Sequence, residues 1–249
     1  MLLVYSDLDA TLLDHDNYSF NSAIPALSLL EKRGIPLILA SSKTREEMVA
    51  IKKSMGNQHP FIYENGSGIF FRKKTSFGVA HSKIKGFLQS LKTKFSFELF
   101  SDFTPHQLQQ YTGLTGKDAQ NAMKREYSEP VLWNDDDNKL KNFITLIEEK
   151  SLIATQGGRF LTISGQQTKA NALLWVKNAY EKEYEAPVTT IALGDSENDI
   201  KMLAAADHAI LVKHPYKDFP QIDRPNIIRT KEVGPLGWNN AIINLVRQL

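Results

Sequence analysis

Two aspartates one residue apart close the first apolar run of the chain, Leu2-Leu3-Val4-Tyr5-Ser6-Asp7-Leu8-Asp9-Ala10-Thr11. Carboxylates this close repel unless a cation neutralises them. A lone Asp-x-Asp also suits a solvated loop. A second acidic group, Gly194-Asp195-Ser196-Glu197-Asn198-Asp199, follows another apolar run, Val188–Leu193, and tips the balance toward a metal. A hard divalent ion with oxygen ligands, Mg²⁺ first, fits such carboxylates. Between the two groups, Ser41-Ser42-Lys43-Thr44 follows the apolar Ile35–Ala40, and Lys169 opens a long helical pattern. These residue types suit phosphoryl transfer. One carboxylate attacks phosphorus, another moves the leaving-group proton, and hydroxyls, amides and an ammonium hold the phosphoryl oxygens.

The elements that must position these groups follow from the apolar periodicity. A buried strand precedes Asp7, and a polar flap spans 12–20. A helix capped by Asn21 or Ser22, with Pro25 in its first turn, ends at Gly34, and a second strand covers 35–40. Thr44 and Glu47 form a capping box for the next helix, which stops at Gly56. Phe61-Ile62-Tyr63 is a third strand, and Gly68–Phe71 returns as a hairpin arm. This alternation predicts parallel strands with right-handed crossovers. Near residue 80 it gives way to an amphipathic helix at 84–95, short helices at 104–111 and 116–126, and strands at 97–100 and 130–133. A helix at 140–149 and a hairpin turning at Gln156-Gly157-Gly158-Arg159 complete that unit. From Thr168 the α/β pattern resumes: a helix at 169–184, strands at 188–193, 208–212 and 227–229, and a closing helix at 238–248. The expected fold is α/β: a doubly wound, Rossmann-like parallel sheet core from residues 1–83 and 168–249, with an inserted α+β cap at 84–167. Ligands bind such sheets at the carboxyl ends of the strands, where Asp7, Ser41 and Asp195 fall.

The 249 residues carry a net charge of only +2 with mixed signs, so there is no footprint for nucleic acid or a membrane surface. No apolar run approaches ~20 residues and no signal-peptide pattern opens the chain, so a cytoplasmic protein is expected. The absence of cysteine excludes disulfides, thiolate metal sites and a cysteine nucleophile. Asp135-Asp136-Asp137 reads as a solvated turn, and Trp175 as core packing. The histidines lack ligand spacing; only His214, behind a late strand, invites attention.

In order along the chain, Asp7-Leu8-Asp9-Ala10-Thr11, Ser41, Lys169 and Gly194–Asp199 resemble the four motifs of the haloacid dehalogenase superfamily. The insertion resembles the α/β cap of its sugar-phosphatase branch. Ser42-Lys43-Thr44-Arg45, Glu64-Asn65-Gly66, Arg125–Glu129, Gly158-Arg159-Phe160 and Gly234–Asn239 are further similar to the mannosyl-3-phosphoglycerate phosphatases. The resemblance implies a Mg²⁺-dependent phosphatase acting on a glycosyl-3-phosphoglycerate, mannosyl before glucosyl, and making a compatible solute. It implies Asp7 as nucleophile and Asp9 as acid/base. Mg²⁺ would bind the side chains of Asp7 and Asp195 and the carbonyl of Asp9, with Asp199 and Asn198 in support and Asn198 touching Lys169. Ser41, or Ser42, would hold phosphate. Lys43, Arg45, Arg125 and Arg159 would meet the substrate's anionic groups, and Glu64, Asn65 and Glu126 its hydroxyls, with Thr44 and Asn198 completing the binding set. Ala10 departs from the glycine common in the first motif, and Ser41-Ser42 from Thr-Gly. A sucrose-phosphatase-like or general sugar-phosphatase is the alternative, with a phospho-aspartate receiver more remote.

Overall fold

A computed structural model describes every residue except Gly158, so the tip of the predicted 156–159 turn and the Gly158 part of the Gly158-Arg159-Phe160 motif lie outside the described residues. In chain order the elements are β1 (Leu2–Ser6), α1 (Ile24–Lys32), β2 (Leu37–Ala40), α2 (Arg45–Ser54), β3 (Phe61–Tyr63), β4 (Gly68–Phe71) and β5 (Lys73–Ser76). Then come α3 (His81–Leu91), β6 (Phe97–Leu99), α4 (Pro105–Thr112), α5 (Gly116–Ala122), β7 (Ser128–Trp133), α6 (Asp137–Glu149), β8 (Leu152–Gly157) and β9 (Phe160–Gly165). The chain ends with α7 (Lys169–Tyr184), β10 (Thr189–Gly194), α8 (Ile200–Ala205), β11 (His208–Lys213), β12 (Ile228–Val233) and α9 (Gly234–Gln248).

Among the described residues two sheets form. The larger runs β12-β11-β10-β1-β2-β3-β4-β5, and the smaller runs β6-β7-β9-β8. In the larger sheet β12 through β3 are mutually parallel, and β4 and β5 fold back antiparallel. Strand order climbs in one direction from β1 to β3 and in the other from β10 to β12. The winding therefore reverses between β1 and β10, and a crevice opens at their carboxyl ends. The register pairs Ser6 with both Leu193 and Leu39, so Asp7, Asp195 and Ser41 leave the sheet at one edge.

Alternation along β1 divides the core. Val4 joins one cluster with Leu30 of α1, Met48 of α2 and Ile242 of α9. Leu3 and Tyr5 join the other with Leu173 of α7 and Met202 of α8. Both faces are thus covered, as a parallel sheet requires. The smaller sheet has its own core, with Ile84 and Leu88 of α3 and Phe143 and Ile147 of α6 packed on Leu99, Val131 and Ile163. The change from one sheet to the other falls between Ser76 and His81 on the way out and between Gly165 and Lys169 on the way back.

Several local expectations change. Neither Asn21 nor Ser22 caps α1; a 3-10 turn at Asn21–Ala23 leads into it instead. An early amide of α1, that of Ala26, donates to Asn239 Oδ1 of α9 at 2.9 Å. A tertiary partner has taken over the work of a cap. Strand β5 is Lys-Lys-Thr-Ser, too polar for apolar periodicity to reveal. Helix α5 stops at Ala122, so 123–127 are released to reach the larger domain. The capping box of Thr44 and Glu47 is present, and Asp136 caps α6 within the acidic run. Trp175 packs edge-on against Phe71 and Phe77.

Gly66 is the tightest joint between the two ends of the chain. Its φ is +97°, and a Cβ there would lie 2.1 Å from the Thr168 carbonyl oxygen, just ahead of Lys169. Gly66→Ala is expected to cost about 3 kcal/mol in denaturant unfolding, because left-handed strain adds to overpacking against backbone. Gly34→Ala, at φ +62° with nothing within 4 Å, is expected to cost only about 1 kcal/mol.

Candidate active site

Asp7 follows β1, and its amide donates to the Leu193 carbonyl of β10 at 2.9 Å. The chain then turns sharply. Ala10 takes φ 57°, where glycine would be unstrained, and Thr11 N donates to Leu8 O at 3.1 Å. This turn aims the Thr11 hydroxyl at Asp195 Oδ1, 2.7 Å away. Gly194 lets Asp199 tuck beneath the fourth motif, since a Cβ there would lie 2.4 Å from the Asp199 Cβ. Asp199 Oδ2 accepts the amides of Asp195 and Ser196, each at 3.2 Å.

Lys169 lies fully buried at the start of α7. Its Nζ donates to Asp7 Oδ1 at 2.5 Å and to Asp199 Oδ1 at 2.7 Å. Asp7, Asp195 and Asp199 each place a carboxylate oxygen within 4.8 Å of the others. With all three ionised, one ammonium leaves two negative charges uncompensated. Burial pushes Asp7 well above the usual carboxylate range, opposed by Lys169 and reinforced by Asp199, Asp195 and Asp9. Asp195 is pushed up to about 6, by burial first and then by Asp199. Burial alone would lower Lys169, but Asp199 and Asp7 outweigh it and hold the amine protonated. Carboxylate oxygens in a small buried cluster lacking positive charge are the donor set of a hard divalent cation.

Asp9 is set apart from that cluster. Its side chain is half-exposed and pairs with Lys43 Nζ at 2.9 Å. Lys43 also sits over the ring of Tyr18 in the flap. Ser41 is buried at the end of β2, where its hydroxyl accepts the Lys43 amide at 3.2 Å. Ser42 is half-buried beside it and offers its carbonyl to Arg125 Nη1 at 3.2 Å.

The other expected binding residues divide between the site and the junction of the two sheets. Asn198 does not touch Lys169. It hydrogen-bonds Ser196 Oγ and donates to Asn65 Oδ1 at 3.4 Å, while Asp199 takes the lysine. Thr44 caps α2 and donates to the Asn121 carbonyl of the cap at 2.8 Å. Arg45 pairs with Glu46 and Glu126. Glu126 also receives Tyr63 OH at 3.0 Å and Lys74 Nζ at 2.8 Å. Partial burial would raise Glu126; the Lys74 and Tyr63 hydrogen bonds overcome it and hold the carboxyl below its ordinary value. Glu64 is buried and turned away from solvent. Its carboxylate accepts Glu126 N at 2.8 Å, Tyr127 N at 2.9 Å and Ser128 Oγ at 2.5 Å. This corrects the expectation of a Glu64 side chain open to a sugar. Arg159 is exposed and donates to the Tyr111 carbonyl within the cap at 2.5 Å. His214 is buried beside His15 of the flap.

Sequence reasoning missed Ser6 and Trp238. Trp238 Nε1 donates to Ser6 Oγ at 2.9 Å, and Ser6 Oγ donates to the Asp7 carbonyl at 2.6 Å. The only trace of this in the sequence was the tail Gly234–Asn239, which carried a resemblance without a mechanism.

Residues 4–215 match the family of haloacid dehalogenase-like hydrolases. The chain belongs to that family. A protein of Persephonella marina, named a glucosyl-3-phosphoglycerate/mannosyl-3-phosphoglycerate phosphatase, is 34% identical over 265 residues, covering 100% of this chain and 98% of its own. A Methanococcoides burtonii protein of the same name is 37% identical over 264 residues, covering 98% of this chain and 97% of its own. Among solved structures, Thermoplasma acidophilum 0175 superposes with a TM-score of 0.73 at 18% identity, covering 99% of this chain and 98% of that one. The sucrose-phosphatase of Synechocystis gives 0.68 at 15% identity, covering 98% of each. At such identities these two establish the haloacid dehalogenase-like fold.

The titration of Asp195 provides a test of cation binding that needs no substrate. A carboxyl raised from 3.8 to about 6 on folding contributes stability below its unfolded value and loses it as pH climbs through the folded one. Metal-free protein should therefore lose thermal stability between about pH 4 and 6 from this group. Added Mg²⁺ should raise the melting temperature more at pH 7.5 than at pH 5. An equal effect at both values would dissociate the carboxylates from the ion.

Proposed function

We propose that this hydrolase is a Mg²⁺-dependent phosphatase that releases phosphate from a glycosyl-3-phosphoglycerate, mannosyl or glucosyl, through an aspartyl-phosphate on Asp7. The observation that carries the chemistry is the buried group of Asp7, Asp195 and Asp199, two of them joined by Lys169, flanked by the half-exposed carboxylate of Asp9. Asp7, Asp195 and the Asp9 carbonyl would hold the ion, with Asp199 fixed behind them by Lys169 and two backbone amides. When bound, Mg²⁺ offsets the charge of the phosphate against that of the carboxylates.

The oxygen of Asp7 not engaged by Lys169 attacks phosphorus, and the bond from phosphorus to the glycerate oxygen breaks. Asp9 must enter this step protonated, with Lys43 moved off it; it gives that proton to the departing oxygen and regains one from the water that attacks the aspartyl-phosphate. Phosphate leaves and Asp7 is restored. An ammonium has three donors. Lys169 uses two on Asp7 and Asp199, so the third serves a phosphoryl oxygen, together with the Ser41 hydroxyl. Lys43 lies close enough to Asp9 to shift from that carboxylate to an arriving phosphate. Arg125, held by the Ser42 carbonyl and Ser128 next to the Ser41 loop, suits the glycerate carboxylate.

The substrate class rests on the names of relatives that align over the whole length of the chain. Phosphate release is expected from mannosyl- and glucosyl-3-phosphoglycerate in preference to sucrose 6-phosphate and hexose phosphates. It should require Mg²⁺ and vanish with a chelator. Asp7→Asn should lower turnover by at least about 10³-fold without changing the unfolding transition by more than a few degrees. Full activity in that variant would overturn the mechanism. A preference for sucrose 6-phosphate would overturn the substrate assignment alone.

A further inference from the structure

The turn after β3 holds a connection that the phosphoryl chemistry does not use. Glu64, Asn65 and Gly66 take φ values of 46°, 55° and 97°, three successive left-handed residues of which only one is glycine. Such strain persists only where its surroundings fix it. Glu64 N donates to Lys43 O at 2.9 Å and Asn65 N to Ser41 O at 3.0 Å, which binds the turn to the loop carrying the expected phosphate ligand. Gly66 is pressed on the Thr168 carbonyl at the start of α7, next to Lys169. Asn65 accepts from Asn198 in the fourth motif. One strained turn thus touches the loops that carry Ser41 and Lys169 through its backbone, and the loop that carries Asp199 through the Asn65 side chain.

The Glu64 side chain points the other way, into the cap. It accepts the amides of Glu126 and Tyr127 and the Ser128 hydroxyl, three donors on the segment that enters β7. Arg125 is the residue just before that segment. It shares Ser128 Oγ with Glu64, and its Nη1 also reaches the Ser42 carbonyl. Its Nε is buried without a protein partner. Tyr127, carried on the same segment, packs in the core of the larger domain against Tyr63.

We propose that Glu64 is a positioning residue that sets Arg125 in register with the phosphate-side loop, and so controls selection of the substrate's leaving group but not attack on phosphorus. This rests on the phosphatase reading but not on which sugar is preferred. A carboxylate is required because all three donors are N–H or O–H groups. A glutamine in the same volume would turn an NH₂ toward one of them and leave it without an acceptor.

Glu64→Gln should be compared with wild type in the presence of Mg²⁺ on two substrates. One is the phosphorylated sugar that wild type hydrolyses best. The other is p-nitrophenyl phosphate, whose leaving group has no carboxylate or sugar. Displacing a guanidinium by about an ångström is expected to lower kcat/KM for the sugar substrate about 30- to 100-fold, mostly through KM, with p-nitrophenyl phosphate changed less than about threefold. Hydrogen exchange should show lost protection at the Glu126 and Tyr127 amides and unchanged protection in β1 and β10. Ser128→Ala keeps the carboxylate but removes both one of its donors and an acceptor of Arg125, and should give a loss with the same selectivity. Equal losses on both substrates, or no loss on either, would overturn the proposal. If wild type prefers a sugar phosphate without glycerate, the substrate assignment above fails, and the ratio between the two substrates still decides the role of Glu64.

Discussion

The centre of this protein depends on one ammonium buried between two carboxylates. Lys169 is fully covered and donates to both Asp7 and Asp199, so the start of α7 is bound to the ends of β1 and β10. Dehydrating a lysine costs several kcal/mol, and only close opposite charges repay it. The three acidic groups repay it in excess and remain short of positive charge. A cluster neutralised wholly by protein cations would have no need of a metal, whereas one left two charges short has the charge and the oxygen donors that a divalent ion fits. Burial, reinforced by the neighbouring carboxylates, raises Asp7 and Asp195 above the ordinary carboxylate range, so the protein holds these charges at a cost that a cation would relieve.

The cap meets the larger domain through residues that, by type, suit substrate binding. Thr44, Ser42, Glu64 and Glu126 contact the opposite domain through neutral or buried groups, and Arg45 and Lys74 close on Glu126 at the rim. The rim ion pairs contribute little singly, because water screens them. The Glu64 contacts differ: two backbone amides would be stranded in a buried site without that carboxylate. The mechanical join is therefore made by residues whose types alone would have suggested ligand contacts.

The fold was legible in the sequence where local pattern and tertiary role agree. Val4 and its neighbours read as a buried strand, Thr44 and Glu47 as a capping box, and Lys169 as the start of a helix; each occupies that place. Asp7, Ser41 and Asp195 could be brought together on paper because a doubly wound sheet delivers strand ends to one crevice. What escaped the sequence was settled by distant partners. The α1 amide answered by Asn239 left no local trace, and neither did the Trp238 bond to Ser6. Glu64 and Glu126 were misplaced for a related reason. Residue type tells what a carboxylate can accept, and only the packed structure tells whether protein donors have already filled it.

The C-terminal tail extends the same logic to Asp7. Trp238 is wholly buried, and its indole N–H fixes the Ser6 hydroxyl, which in turn holds the Asp7 carbonyl. On its other side Asn239 caps the start of α1, whose residues line the same core face as Val4. Helix α9 therefore braces β1 through its backbone, while α7 grips the Asp7 side chain through Lys169. A carboxylate in a site rich in carboxylates must be held against the repulsion of its own neighbours. Here two helices that follow the smaller sheet in sequence hold Asp7 from opposite faces of the larger one, one by charge and one by neutral hydrogen bonds.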